Sequence, residues 1–293
     1  MGNELATLSN ELAAVVERAG KSVVAVHARP RFSSSGVFWR PGIVVTAEHT
    51  IRREEDITVT LPDGSNSPAT LAGSDPGTDV AVLKVEAAVA PPIAAATGEP
   101  AAGHLILAIG RSQDSGVNAS MGIVSAVSGA WRTWRGGRLD RYIRLDLTLF
   151  PNSSGGVVVN TAGGALGIAT STLSRIAGVA IPASTVNRVV DEILARGHVA
   201  RGYLGLGLQP VELPESKHGL IVLSLEPEGP AAKAGVLIGD ILVSLGGSDT
   251  ADTEDIQTVL EGRAVGQAVT AIFMRGGESR TANIVIGERP RRS

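Results

Sequence analysis

The sequence predicts a mainly β protein in two parts, an all-β barrel or sandwich followed by a smaller β-rich unit. Three observations carry this. Short Val- and Ile-rich runs recur between turn signals over the first 160 residues, glycine is abundant at 36 of 293 residues, and one amphipathic stretch beginning near residue 183 breaks the pattern before strands return. The length favours two cores over one. A hydrophobic fraction of 43% suffices for packed cores, and with aromatic residues at only 3% small aliphatic side chains must fill them.

Taken in chain order, residues 1–20 read as an amphipathic helix, with Leu5, Leu8, Leu12, Val15 and Val16 at helical spacing and Glu4, Glu11 and Glu17 between them. It holds no basic segment followed by an apolar run, so it is not read as a signal peptide. Strands are expected at 22–26, 43–46, 57–61, 80–85, 105–109, 143–147 and 155–159. Residues 183–196 place Val186, Val189, Val190, Ile193 and Leu194 on one helical face, and Gly197 follows as a stop. Strands return at 219–225, 241–245, 268–274 and 281–286, with short helices at 230–234 and 253–260. The organisation is therefore a helical segment at 1–20, a first domain at 21–197, a second at 198–288 and a frayed tail at 289–293.

Composition excludes several classes. The net charge of −3 gives no reason to expect nucleic acid. The absence of cysteine removes disulfides, thiolate-bound metals and a thiol nucleophile. No run of about 20 apolar residues exists, so no membrane span is expected. His27, His104, His198 and His218 show no zinc-like spacing with acids, and neither a metal nor a cofactor is expected.

Three segments carry chemistry. Val44-Val45-Thr46-Ala47-Glu48-His49 is a strand running into a turn that ends in histidine. Ser74-Asp75-Pro76-Gly77-Thr78-Asp79 is a turn that delivers Asp79 ahead of the apolar run Val80–Val85. Pro151-Asn152-Ser153-Ser154-Gly155-Gly156 is a tight Ser/Gly turn before another strand. A serine hydroxyl is a weak nucleophile and needs an adjacent base. A neutral imidazole can take its proton and return it to a leaving amine. A buried carboxylate fixes the imidazole tautomer, and small residues around the serine let backbone N–H groups approach an oxyanion.

These segments resemble the HtrA (Deg) family of serine proteases, whose motifs run V-T-x-x-H-V, D-x-x-x-D-x-A-V-L-K-V and P-G-N-S-G-G-P. Ala108-Ile109-Gly110, Gly122-Ile123-Val124-Ser125-Ala126 and Ala180-Ile181-Pro182 match as well. The resemblance implies a chymotrypsin-like double six-stranded β-barrel with His49 as base, Asp79 as orienting carboxylate and Ser154 as nucleophile; Ser153 is the competing register. It places the oxyanion hole at Asn152, Ser153 and Ser154, and the specificity pocket at Leu149, Phe150, Ile168 and Ala169. Those residues imply a preference for small or medium aliphatic side chains before the scissile bond. Asn152 stands where the family has Gly, Ser153 where it has Asn, and Val157 where it has Pro. If the active turn needs positive φ at 152, asparagine is among the least penalised substitutes.

Arg201-Gly202-Tyr203-Leu204-Gly205-Leu206-Gly207, Pro227-Glu228-Gly229-Pro230-Ala231-Ala232-Lys233-Ala234-Gly235 and Gly239-Asp240-Ile241-Leu242 resemble a PDZ domain, a β-sandwich with two short helices. Tyr203, Leu204, Gly205 and Leu206, with Ile256 and Leu260, are expected to bind a peptide C-terminus as an added strand, unless the four aliphatic residues are plain core. Residues 131–141, with Arg132, Arg135, Arg138, Trp131 and Trp134, fall where the family carries a regulatory loop. The resemblance further implies polypeptide substrates and a homotrimer packed through the N-terminal helix, Phe32, Phe38 and Trp39, unless these fold back on their own barrel. It points to a periplasmic or cell-envelope location, against a cytoplasmic one if the N-terminus is native. The competing functional reading is a catalytically impaired protease fold that binds polypeptides as a scaffold or chaperone.

Overall fold

The computed structural model describes residues 2–86, 90–214, 217–261 and 263–289. It divides into two compact units, 1–199 and 200–293. The tail from residue 290, expected to fray, lies outside the described residues.

The first unit begins with helix α1 (Gly2–Gly20) and continues as strands β1 (Val23–His27), β2 (Ser34–Arg40), β3 (Ile43–Ala47), β4 (Ile57–Thr60), β5 (Asn66–Asp75) and β6 (Val80–Val85). They close into an antiparallel barrel in the order β1-β2-β3-β6-β5-β4, with β1 paired to β4 through Ala25 and Thr60. Alternate residues face inward, so Val24, Val26, Phe38, Val44 and Val59 fill the interior. A second barrel follows from β7 (Leu105–Ser112) and β8 (Gly116–Ser128). A short hairpin of β9 (Trp131–Arg132) and β10 (Arg138–Leu139) intervenes, and the barrel resumes with β11 (Tyr142–Asp146), β12 (Val157–Asn160), β13 (Ala165–Thr170) and β14 (Val179–Pro182). It closes in the order β11-β14-β13-β12-β7-β8. The expected double six-stranded barrel is the observed fold.

Helix α2 (Ala183–Arg196) seals this unit. Its β-branched residues cost helical propensity, at most about 0.7 kcal/mol each. Burial of Val186, Val189, Val190 and Ile193 returns about 1.5–3 kcal/mol apiece, so packing decides. Leu194, assigned to the same face from sequence, is 37% exposed. Gly197 takes φ 78° as a left-handed cap and donates its N–H to the Ile193 carbonyl. At the other end of the unit, Val15 and Ala19 of α1 pack into the core between the barrels. Buried Arg111 donates to the Gly20 and Val23 carbonyls at 3.0 and 2.6 Å, a cation set where the α1 carbonyls lack helical partners.

The second unit holds β15 (Gly202–Tyr203), β16 (Leu206–Leu213), β17 (Lys217–Leu225), helix α3 (Pro230–Lys233), β18 (Ile241–Leu245), β19 (Ser248–Asp249), helix α4 (Thr253–Glu261), β20 (Ala268–Arg275), β21 (Glu278–Val285) and β22 (Gly287–Glu288). Its sheet runs β16-β17-β18-β20-β21. Leu204, Ile256 and Leu260 are buried in its core, and Leu206 packs against that core partly exposed. Gly205 takes φ 77° between β15 and β16, so Leu204 and Leu206 do not share one continuous strand as sequence alternation implied.

Candidate active site

The turn of residues 75–79 is built by Asp75. Its buried carboxylate accepts the N–H groups of Gly77 and Thr78, both at 3.2 Å, and the Thr78 hydroxyl at 2.8 Å. The turn ends with Asp79 at φ 60°, a left-handed conformation that a non-glycine residue adopts only when its surroundings enforce it. That conformation is enforced from the 3₁₀ turn Glu48–Thr50, which follows β3. Glu48 donates its N–H to the Asp79 carbonyl at 3.0 Å, and His49 donates its own to Asp79 Oδ1 at 2.9 Å. The His49 ring then meets the same carboxylate, with Nδ1 2.9 Å from Oδ2 and 3.0 Å from Oδ1. The carboxylate can only accept, so in the neutral imidazole Nδ1 carries the proton and Nε2 keeps its lone pair.

The second barrel completes the arrangement through Thr170-Ser171-Thr172, at the end of β13. The Thr170 hydroxyl donates a short hydrogen bond to Asp79 Oδ2. The Thr172 hydroxyl lies 3.1 Å from the same oxygen and 3.3 Å from His49 Nδ1. Ser171 Oγ is 3.3 Å from Ser154 Oγ. Sequence reading missed this run; its only signal was three successive hydroxyl residues after a strand of small apolar ones. Burial pushes the Asp79 carboxyl up. The His49 hydrogen bond and charge, the Thr170 hydroxyl and the His49 amide outweigh that and hold it below the ordinary carboxylate value.

Ser154 sits in the turn before β12, with both Ser153 and Ser154 buried. The turn takes its positive φ at Gly155 (86°), while Asn152 stays on the ordinary side. Ser153 donates its N–H to the Phe150 carbonyl at 2.8 Å and is spent as an oxyanion donor, contrary to its assignment from sequence. Among the described residues no hydrogen bond uses the N–H of Asn152 or Ser154. None joins Ser154 Oγ to His49 either.

Residues 34–168 match the trypsin-like peptidase domain and residues 202–286 the PDZ domain. The chain is 34% identical over 281 residues to a probable periplasmic serine endoprotease DegP-like of Brucella suis, covering 90% of this chain and 54% of that one. It is 31% identical over 267 residues to the serine endoprotease DegS of Haemophilus influenzae, covering 87% and 77% respectively. The chain belongs to the HtrA (Deg) family. Among solved structures, the serine endoprotease from Yersinia pestis superposes with a TM-score of 0.80 at 30% identity over 95% of this chain and 98% of that one. The HtrA-type protease AlgW with decapeptide gives 0.81 at 27% identity over 96% and 99%. The chain thus spans about half the length of the DegP-like relatives, 54%, and most of DegS.

Within this HtrA fold the expected pocket residues separate. Leu149 packs against the interior of the second barrel, to which wholly buried Ala169 belongs. Ile168 points the other way into the core between the barrels, because neighbours in a strand face opposite sides. Phe150 is 50% exposed. The Arg-rich segment forms the β9–β10 hairpin, with Arg138 opposite Arg132. The Thr133 hydroxyl donates to the Gly77 carbonyl at 2.7 Å, and Trp134 Nε1 to the Thr172 carbonyl at 3.3 Å. Arg135 stacks 4.8 Å from the centre of the Trp134 ring and reaches Glu48, beside His49, at 3.3 Å. Burial, then the Asp79 charge, raises the Glu48 carboxyl; Arg135, His49 and Arg52 oppose that. Among the described residues no group of three or more acids and histidines could hold a metal ion, and no helix is long and apolar enough to cross a membrane.

Proposed function

We propose that this chain is a serine endopeptidase acting on unfolded or exposed polypeptide, with Ser154 as nucleophile, His49 as general base and acid, and Asp79 as the carboxylate that orients it. The observation that carries this is the Asp79–His49 pair. Side chain and backbone of both residues lock together, and hydroxyls from the facing barrel satisfy the carboxylate. In the reaction Ser154 Oγ leaves Ser171, passes its proton to His49 Nε2 and attacks the substrate carbonyl. The negative charge settles on the carbonyl oxygen, opposite the N–H groups of Asn152 and Ser154. His49 then protonates the leaving amine, and water repeats the sequence on the acyl-enzyme.

Partly buried Leu149 and half-exposed Phe150 give the residue before the scissile bond an apolar neighbourhood, with no acid at the assigned positions to pair a buried cation, so cleavage after Val, Ala or Leu is preferred to cleavage after Lys or Arg. The Gly202–Tyr203 segment and the following loop are assigned to peptide C-termini, the β9–β10 hairpin with Arg132, Arg135 and Arg138 to regulation, and the assembled state to a homotrimer. The competing scaffold reading draws on one observation, that the Ser154 hydroxyl engages Ser171 rather than His49. Catalytic hydrogen bonds are often loose without substrate, so this contact does not count against the enzyme.

The test is labelling with a fluorophosphonate probe alongside hydrolysis of a peptide panel varied before the scissile bond. Stoichiometric modification at Ser154, and a fall of about 10⁴ or more in hydrolysis for Ser154→Ala but not for Ser153→Ala, is the expected result. A folded chain that takes no label is the scaffold.

A further inference from the structure

The nucleophile turn is gripped from the first barrel at two successive carbonyls. Arg29, in the loop between β1 and β2, donates from Nη2 to the Pro151 carbonyl at 3.1 Å. The Ser35 hydroxyl donates to the Asn152 carbonyl at 2.6 Å. Each contact fixes a peptide plane. In a planar trans peptide the N–H leaves from the edge opposite the C=O, so the atom that holds a carbonyl also aims the next residue's N–H. Ser35, by holding the Asn152 carbonyl, aims the Ser153 N–H, which reaches the Phe150 carbonyl at 2.8 Å. Arg29, by holding the Pro151 carbonyl, aims the N–H of Asn152. That N–H has no partner among the described residues and is one of the two assigned to the oxyanion.

We infer that Arg29 is a positioning residue for the oxyanion site, orienting the Pro151–Asn152 peptide so that the Asn152 N–H faces the reacting carbonyl; the inference rests on the serine-protease reading above. Arg29 is itself held in place. Its Nε donates to the Phe32 carbonyl at 3.1 Å and its Nη2 to the Ser33 carbonyl at 3.0 Å. A guanidinium has five N–H donors in a rigid plane, so it can bind its own loop and still span to the turn, which the compact ammonium of a lysine, with no planar fork, cannot do as well. Ser35 connects the same turn to the rest of the fold: its Oγ accepts the Arg111 N–H at 2.9 Å, and its N–H donates to the Ser154 carbonyl at 3.1 Å. The turn therefore has a rigid anchor at Asn152 and a single cationic hand at Pro151. With asparagine where the family has glycine, the orientation of that second plane falls to Arg29.

The experiment uses the full chain and a fluorogenic peptide with an aliphatic residue before the scissile bond. Loss of a whole oxyanion donor costs about 10²–10³ in kcat. Arg29→Ala is expected to lower kcat by at least about tenfold, with KM within about threefold, since a misaimed donor weakens the transition state more than the bound substrate. Arg29→Lys should recover part of kcat. Free guanidinium at about 10 mM should raise kcat of Arg29→Ala and leave the parent unchanged. Hydrogen exchange of the peptide covering 150–156 should speed up in Arg29→Ala while the barrel strands keep their protection, which separates a loosened turn from a misfolded chain. A parent that hydrolyses the peptide while Arg29→Ala keeps kcat within twofold overturns the inference alone. So does a loss that neither lysine nor guanidinium recovers and that comes with exchange across the whole barrel. A parent that hydrolyses nothing and takes no fluorophosphonate overturns the serine-protease reading, and the role of Arg29 with it.

Discussion

Gly155 carries the strictest steric demand in the nucleophile turn. Its φ is 86°, and a Cβ there would lie 2.2 Å from the Ser35 carbonyl oxygen and 2.4 Å from Thr46 Oγ1. The left-handed backbone costs a side chain about 1 kcal/mol, and the clash with fixed backbone adds about 1–3 more. Gly155→Ala is therefore expected to lose about 2–4 kcal/mol in urea unfolding and to take little or no fluorophosphonate. Gly64 is the control, with nearly the same φ of 87° and nothing within 4 Å of its built Cβ. Gly64→Ala should cost only about 1 kcal/mol. Equal losses in the two variants would mean that backbone conformation alone, and not the Ser35 contact, shapes the turn. The Ser-Gly-Gly run was legible as a turn from sequence. Which glycine bears the positive φ was not, because that depends on β2 passing directly above it.

Elements differ in how openly their sequences declare them. Helix α2 was read with its observed bounds because periodicity and a glycine stop coincide. Strand β5 was missed: Asn66–Asp75 contains Pro68, Gly73 and two alanines, and pairing with β4 and β6 holds it extended where propensity does not. In the second unit, β18 and β20 are joined at their ends by Asp240 and Arg275. Both nitrogen-to-oxygen contacts are 2.7 Å, and the Asp240 side chain is 1% exposed. The Arg275 hydrogen bonds outweigh burial and hold the Asp240 carboxyl below its ordinary value. A carboxylate with a depressed folded pKa adds stability that is complete above its unfolded pKa, about 3.9, and is lost as pH falls toward the folded one. Asp240→Asn should destabilise the second unit by about 2–4 kcal/mol at pH 7, since one partner of a buried pair is removed while Arg275 stays partly solvated. Calorimetry of parent and variant between pH 7 and 3 should show the gap narrowing as acid is added. A gap that widens would refute the pairing as its source.

At the scale of the whole molecule, the start of the chain carries exposed apolar side chains. Leu5 is 73% exposed, Leu8 40% and Phe32 70%, although Val15 and Ala19 of the same helix are buried. Phe38 and Trp39, expected at the same surface, pack inside the unit instead: Phe38 fills the first barrel, and Trp39 Nε1 donates to Asn187 at 2.7 Å. Of the segment assigned to the proposed trimer, the helix and Phe32 are left to form its interface. Analytical ultracentrifugation at micromolar concentration should give a trimer for the parent and a smaller species for the double variant Leu5→Ser, Leu8→Ser. A monomeric parent sinks the assembly proposal without touching the active-site reading.

Sequence alone determined what depends on local order: the strand-rich alternation, the helix that closes the first unit, the Asp75 turn, and a His, an Asp and a Ser each at the mouth of a strand. It determined the family as well, since those motifs are contiguous and ordered. Only the tertiary structure decided which face each side chain presents and which distant group it meets. Thr170 reaches Asp79 across 91 positions of chain, and Arg29 reaches Pro151 across 122. Ile168 and Ala169 are adjacent in sequence and serve different cores. The physical reason is that local propensity fixes where a strand lies, whereas side-chain partners follow from the pairing of strands far apart in sequence, which no short window of residues contains.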